Sequence, residues 1–159
     1  MLSLFFADQI STGLTQDLLG DEAHHASKVL RLNLGEQIKI SDGKGSWVSG
    51  PITEIEKKKL TIAISDRGAS AVVTPEIVLV QAVTKSDRNK EMLELAVGAG
   101  VDRIIPWQSE RSISKWQSDS YSKWETGIKE ACKQARQVRL PELNTVMNTN
   151  EISKLFTQN

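Results

Sequence analysis

Three groups of side chains in this sequence have the types and spacing to hold an anion. Lys28 and Arg31 stand three residues apart in a helical segment. Two cations one turn apart lie on one side of a helix and can meet successive phosphates of a single strand; the other reading is a solvated helix face. Arg111 sits in Ser109-Glu110-Arg111-Ser112, just after an apolar strand-like run. Loops after the C-terminal ends of parallel strands form the crevice of an open α/β sheet. A guanidinium there forks two hydrogen bonds onto a phosphate or carboxylate; the alternative is a pair with Glu110 or Glu125. Residues 111–139 hold Arg111, Lys115, Lys123, Lys129, Lys133, Arg136 and Arg139 against Asp119, Glu125 and Glu130. That local basic excess is either a footprint for phosphates or a solvated helix face.

The rest of the inventory excludes more than it offers. The 159 residues carry 20 Lys+Arg and 20 Asp+Glu, so the chain does not bind nucleic acid by bulk charge. Cys132 is the single cysteine, which excludes an intrachain disulfide framework and a multi-cysteine zinc site. His24 and His25 point to different sides of a helix and lack a third ligand, so no metal is expected. No G-x-S-x-G elbow, phosphate-binding P-loop or G-x-G-x-x-G follows a strand. No apolar run approaches the ~20 residues of a membrane span. The residues from Met1 to Asp8 lack the basic start of a secretory signal. A soluble, cytoplasmic protein without a membrane partner is the expectation.

The elements that must position these groups fall into two parts. Gln37–Ile40 alternates and runs into Asp42-Gly43-Lys44-Gly45, a turn cluster. Ile52–Ile55 and Leu60–Ile64 form a hairpin around Glu56-Lys57-Lys58-Lys59, whose lysines guard a tip or edge. Asp21 caps a helix over 22–30 that turns Ala23, Ala26, Val29 and Leu30 inward and His24, Ser27, Lys28 and Arg31 outward. Short strands, one helix and Gly-rich turns point to a small barrel or sandwich.

Residues 65–75 read as a linker, and after Pro75 the period changes. Ile77–Val83 is a continuous apolar run, the pattern of a parallel strand covered on both faces. A loop over 84–88 precedes a helix over 89–97 closed by Gly98-Ala99-Gly100. A second strand over 101–105 stops at Pro106. A helix over 118–137 buries Tyr121, Trp124, Ile128, Ala131, Cys132 and Ala135. A third strand spans 143–147. Asn150 caps a last helix with Ile152, Leu155 and Phe156 inward. The β-α-β-α-β-α order predicts an open α/β sheet. Three strands make a thin layer, completed either by more chain or by a second chain.

The segment His25-Ala26-Ser27-Lys28-Val29-Leu30-Arg31, with Gly35 and Asp42-Gly43, resembles the front domain of the bacterial 16S ribosomal RNA uracil-N3 methyltransferases. Lys85 through Arg88, Gly100-Val101-Asp102, Ile105-Pro106, Ser109-Glu110-Arg111-Ser112, Glu130-Ala131-Cys132, Gln134, Arg139 and Pro141 are similar to the second domain of the same family. The resemblance implies a two-domain α+β and α/β chain. Residues 1–72 would be a PUA-like RNA-binding β-barrel, and 73–159 the first part of an open α/β SPOUT (trefoil-knot type) methyltransferase domain. It implies a homodimer that uses S-adenosylmethionine to methylate N3 of a uridine in 16S rRNA of the small ribosomal subunit. The RNA-binding candidates are His25, Lys28, Arg31, Arg88, Arg111, Gln134, Arg136 and Arg139.

Two departures from the family pattern stand out. Gly98-Ala99-Gly100 replaces Glu-Leu-Gly before the second strand. The family's G-P-E-G-G and L-R-x-E-T-A stretches, which the resemblance makes the methyl-donor pocket, are not among these 159 residues. The alternative expectation is therefore an RNA-binding module without the methyl-donor site.

Overall fold

The computed structural model describes residues 2–157, with the side chains of Ser86 and Asp87 left aside. Expectations that reach Met1, Gln158, Asn159 or those two side chains lie outside the described residues. The chain divides into two compact units. The first runs up to Val72 and takes in Arg136–Leu140. The second holds Val73–Ala135 and the residues from Pro141 on.

The first unit wraps strands around one apolar centre. Its strands are β1 (Ser3–Phe6), β2 (Thr15–Leu19), β3 (Gln37–Ser41), β4 (Ser46–Ile55), β5 (Lys59–Ala63) and β6 (Asp66–Ala69). They are ordered β1-β3-β4-β5-β2, with β6 beside β4. The ten-residue β4 pairs with β3 and β6 through its first half and with β5 through its second. A register shift between Ile52 and Glu54 marks the change. Such a shift bends a strand and lets one sheet curl around its own core. That core is Phe5, Leu18, Ala23, Ala26, Ile38, Ile40, Val48, Ile52, Leu60 and Ile62.

Several expectations change here. The stretch 65–75 is not all linker, because 66–69 form β6. Asp-Arg-Gly-Ala has no apolar alternation to announce a strand; the sheet uses Gly68 because the Trp47 indole lies against it. Lys59 does not guard an edge, since β5 is covered by β2 and Lys59 pairs with Asp17 at 3.3 Å. The helix is α1 (Gly20–His24) running into a π-helical turn, His25–Val29. Asp21 lies inside its first turn and Leu19 precedes it without a side-chain cap. The wider turn, with Leu30 N–H donating to His25 O, breaks the 100° spacing. Ala23 and Ala26 stay buried, but Val29 and Leu30 are exposed.

The second unit is a three-stranded parallel sheet with helices. Its elements are β7 (Val78–Ala82), α2 (Ser86–Gly98), β8 (Arg103–Trp107), α3 (Ser120–Ala135), β9 (Glu142–Leu143) and α4 (Thr149–Thr157). The order is β7-β8-β9. β7 is an edge strand and all five of its residues are half-buried rather than covered on both faces. Pro106 does not stop β8 but lies within it. Its missing N–H falls on the β9 side, where regular pairing has ended at Leu143 and only Met147 N–H reaches Pro106 O.

The core of this unit is Leu93, Ala96, Val97, Ile104, Ile105, Trp124, Ile128, Ala131 and Cys132. Tyr121 and Ala135 are exposed, so the buried stripe of α3 is shorter than its periodicity predicts. The helix ends at Ala135 rather than 137. Gly100, at φ 79°, closes α2: its N–H donates to Val97 O and that of Val101 to Ala96 O. Asn148, not Asn150, caps α4; its Oδ1 accepts from Glu151 N–H while Glu151 Oε2 accepts from Asn148 N–H. Leu155 and Phe156 of α4 are exposed rather than inward.

Candidate nucleic-acid interface

The loops after β7 and β8 enclose a cleft of about 400 Å³ lined by Thr84, Lys85, Arg88, Arg111, Ser112 and Ser114 among others. Chain direction dictates this place. Parallel strands put both of their C-terminal loops at one sheet end, and α2 begins there. Lys85 is the extended residue before α2, and Arg88 stands in its first turn, its N–H donating to Lys85 O. The opening turn of a helix carries unpaired N–H groups and positive potential, which favours an anion.

The opposite wall is a braced loop. Gln108 follows β8, and its amide donates to Ser109 O and Ser114 O while accepting from Trp116 N–H at 2.8 Å. Ser112 Oγ donates to Ser114 O at 2.8 Å and also lies 3.2 Å from Val83 O. The loop is thereby closed on itself and held to the end of β7, with Arg111 exposed on it. Among the described residues Lys85, Arg88 and Arg111 make no ion pair, so neither pairing of Arg111 with Glu110 or Glu125 forms. Three cations line this cleft, and among the described residues no carboxylate pairs with them. That arrangement holds a phosphate or a carboxylate.

The remaining candidates are scattered. Gln134 is exposed near the end of α3 and does not line this cleft. Arg136 follows α3 at φ 58°. Arg139 lies in the first unit, where it packs on Gly45 and donates to Ser70 O at 2.7 Å. Within the 111–139 stretch, Lys123 pairs with Asp119 at 2.7 Å and the buried Lys133 with Glu130 at 3.0 Å. The Lys123 hydrogen bond holds the Asp119 carboxyl below the usual carboxylate range. The stretch is therefore not one open footprint.

In the first unit the His25 ring meets Phe5 edge-on at 6.3 Å and serves as packing. Lys28 and Arg31 are exposed and make no ion pair among the described residues. Arg31 leaves the π-helical turn at φ 55°. Lys85 is the cleft residue that motif reasoning left out of the candidates. Its spacing from Arg88, three residues at a strand-to-helix junction, is the signal that points to it.

A family model described as an RNA methyltransferase domain matches residues 73–159, and one described as an RNA methyltransferase PUA domain matches residues 18–65. The chain belongs to the RNA methyltransferase family. Its fold is that family's PUA-like barrel followed by a SPOUT-like α/β domain. The chain is 31% identical over 151 residues to the ribosomal RNA small subunit methyltransferase E of Mycobacterium bovis, a match over 92% of this chain and 58% of that protein. The chain thus spans under two thirds of the length of such RNA methyltransferases.

A solved ribosomal RNA small subunit methyltransferase E from Neisseria gonorrhoeae, bound to S-adenosyl methionine, superposes at a TM-score of 0.83. It is 27% identical, over 96% of this chain and 65% of that one. A putative methyltransferase from Legionella pneumophila, 22% identical with a TM-score of 0.84 over 97% of this chain and 66% of that one, shares the fold. Among the described residues no helix is long and apolar enough to cross a membrane.

Proposed function

We propose that this chain serves the S-adenosylmethionine-dependent methylation of N3 of a uridine in 16S rRNA of the small ribosomal subunit, as a cytoplasmic homodimer. The observation that carries this reading is that Lys85, Arg88 and Arg111, with no ion pair among the described residues, line one cleft at the C-terminal end of the parallel sheet. Their part is to bind and orient the RNA backbone. Lys28 in the π-helical turn and Arg31 just after it, both exposed, provide a second phosphate contact. Methylation at N3 requires that nitrogen to lose its proton and face the methyl group, so fixing the RNA contributes to catalysis directly.

S-adenosylmethionine, when bound, supplies the methyl group. Its sulfonium is a cation, and the cations of this cleft repel it. The cleft cations cannot stabilise that sulfonium, so these residues are assigned no step on the donor.

The same cations support a second reading, RNA binding by this chain without methyl transfer. One experiment separates the two. The chain is incubated with small ribosomal subunits lacking the modification and with methyl-labelled S-adenosylmethionine. Label at a uridine N3 of 16S rRNA is the result expected of the first reading. Salt-sensitive rRNA binding without label leaves only the second. In either case Arg111→Ala should lower the log–log salt slope of binding by about 0.9, one phosphate contact. RNA binding insensitive to salt and to Arg111 would refute both.

A further inference from the structure

Arg111 stands at the corner of a β-turn. Ser112 N–H donates back to Ser109 O at 3.1 Å, which makes Arg111 the third of the turn's four residues. A turn on an exposed loop opens readily, and a long guanidinium side chain on it would then sweep a wide volume. What holds this turn still therefore decides where the cation stands.

Gln108 is half-buried just after β8, where its backbone N–H donates to Met147 O at 2.9 Å. Its amide has one possible orientation. The group 2.8 Å from Oε1 is the Trp116 N–H, which can only donate. The groups 3.3 and 3.1 Å from Nε2 are the carbonyls of Ser109 and Ser114, which can only accept. Both amide hydrogens and the amide oxygen are thus spent on the loop that carries Arg111. One bond falls on the carbonyl that closes the turn. Another reaches Trp116, whose ring meets the buried Trp124 of α3 edge-on at 5.2 Å. The Ser112 hydroxyl adds its bond to Ser114 O at 2.8 Å, with Val83 O just after β7 at 3.2 Å. The loop is tied at its start, at its turn and at its far end, and Gln108 makes three of these ties.

We infer that Gln108 is a positioning residue for the phosphate site: it does not line the cleft, and it sets where Arg111 stands relative to Lys85 and Arg88 on the facing wall. This rests on the phosphate reading of that cleft. A cation held in place before the ligand arrives binds more tightly than one that the ligand must order.

The test uses the whole chain and a fluorescent single-stranded oligouridine, with anisotropy read over a range of salt. Gln108→Met keeps the length of the side chain and removes its hydrogen bonds. It should weaken binding about fivefold, the scale of re-ordering one long side chain and its loop. It should also lower the log–log salt slope although no charge has been removed, toward the fall of about 0.7 that Arg111→Ala gives for one phosphate of a single strand. In a chain already carrying Arg111→Ala, Gln108→Met should cost less than about twofold, because the group it positions is gone. Ser112→Ala, which cuts the hydroxyl's bond and leaves the amide, should show the same dependence on Arg111, and it decides the matter if Gln108→Met fails to fold. A loss from either variant that is as large without Arg111 as with it, or affinity and slope unchanged by Gln108→Met, overturns the positioning role and leaves the phosphate reading standing. Absence of binding by the unaltered chain, or no effect of Arg111→Ala, overturns the phosphate reading and the positioning role with it.

Discussion

Arg31 carries two opposed demands on one residue. Its side chain is an exposed cation proposed to meet a phosphate, while its backbone sits at φ 55°, where an L side chain is disfavoured by about 1 kcal/mol. Glycine removes both the strain and the charge. Arg31→Gly should raise stability by about 0.5–1 kcal/mol in urea titration, yet weaken rRNA binding and flatten its salt dependence. A variant less stable than the natural chain would show that the left-handed backbone is not strained.

Cys132 behaves differently, because burial alone sets its chemistry: the thiol is pushed up to about 12. The native state keeps its proton at pH values where an unfolded thiol has released it. The stabilisation is therefore complete below the ordinary thiol range near 8.5 and is lost as pH rises from there toward about 12. The gap in urea midpoint between the natural chain and Cys132→Ala should shrink between pH 8 and pH 10. Legibility divides at this scale along the same line. The places of Arg88 and Arg111 at the sheet end were readable because a motif and a strand end locate them. The roles of Arg139 and Lys133 were not, because a cation's partner, here Ser70 O or Glu130, is fixed by packing that brings distant groups together.

At the scale of elements, the long periodic segments were legible and their ends were not. The strands β3, β4, β5, β7 and β8 and the helices α2 and α3 follow from apolar period. The π-helical turn after α1 and Pro106 inside β8 depend on which hydrogen bonds the neighbours leave open, which no local pattern records. Gly127 tests the packing of two of these helices. It lies in the middle of α3, where alanine would gain about 1 kcal/mol of helix propensity. A Cβ there would meet Leu93 Cδ1 of α2 at 2.6 Å. Leu93 is 2% exposed and has nowhere to swing, so overpacking of about 1–3 kcal/mol outweighs the gain. Gly127→Ala should lower the thermal midpoint, and Leu93→Ala in the same chain should recover part of the loss. A Gly127→Ala chain as stable as its parent would mean that the helices separate at little cost.

Over the whole molecule, the apolar period changes once, after Pro75, and an expectation of two parts follows from that change. What the period could not show is that the chain enters the first unit a second time, at Arg136–Leu140. No glycine or proline stands between Gly127 and Pro141, so the helix reads on to residue 137 and nothing marks a return to the first unit. The attachment of residues 136–140 is made of bonds across long sequence separations. Ser41 Oγ donates to Val138 O at 2.6 Å, 97 residues away, and Leu140 N–H donates to Gly43 O at 2.8 Å. The Leu140 side chain lies so close over Gly43 that a Cβ there would sit 2.8 Å from Leu140 Cδ1. This segment therefore holds the β3–β4 turn, and the turn lies between two strands that supply Ile38, Ile40 and Val48 to the core. Truncating a half-buried leucine costs about 1–2 kcal/mol in lost apolar contact. If the segment is integral to the first unit, Leu140→Ala should speed amide hydrogen exchange across β3 and β4 as well as at 136–140, because opening the turn releases the strands that flank it. Faster exchange confined to 136–140 would show instead that the first unit holds its strands without this segment.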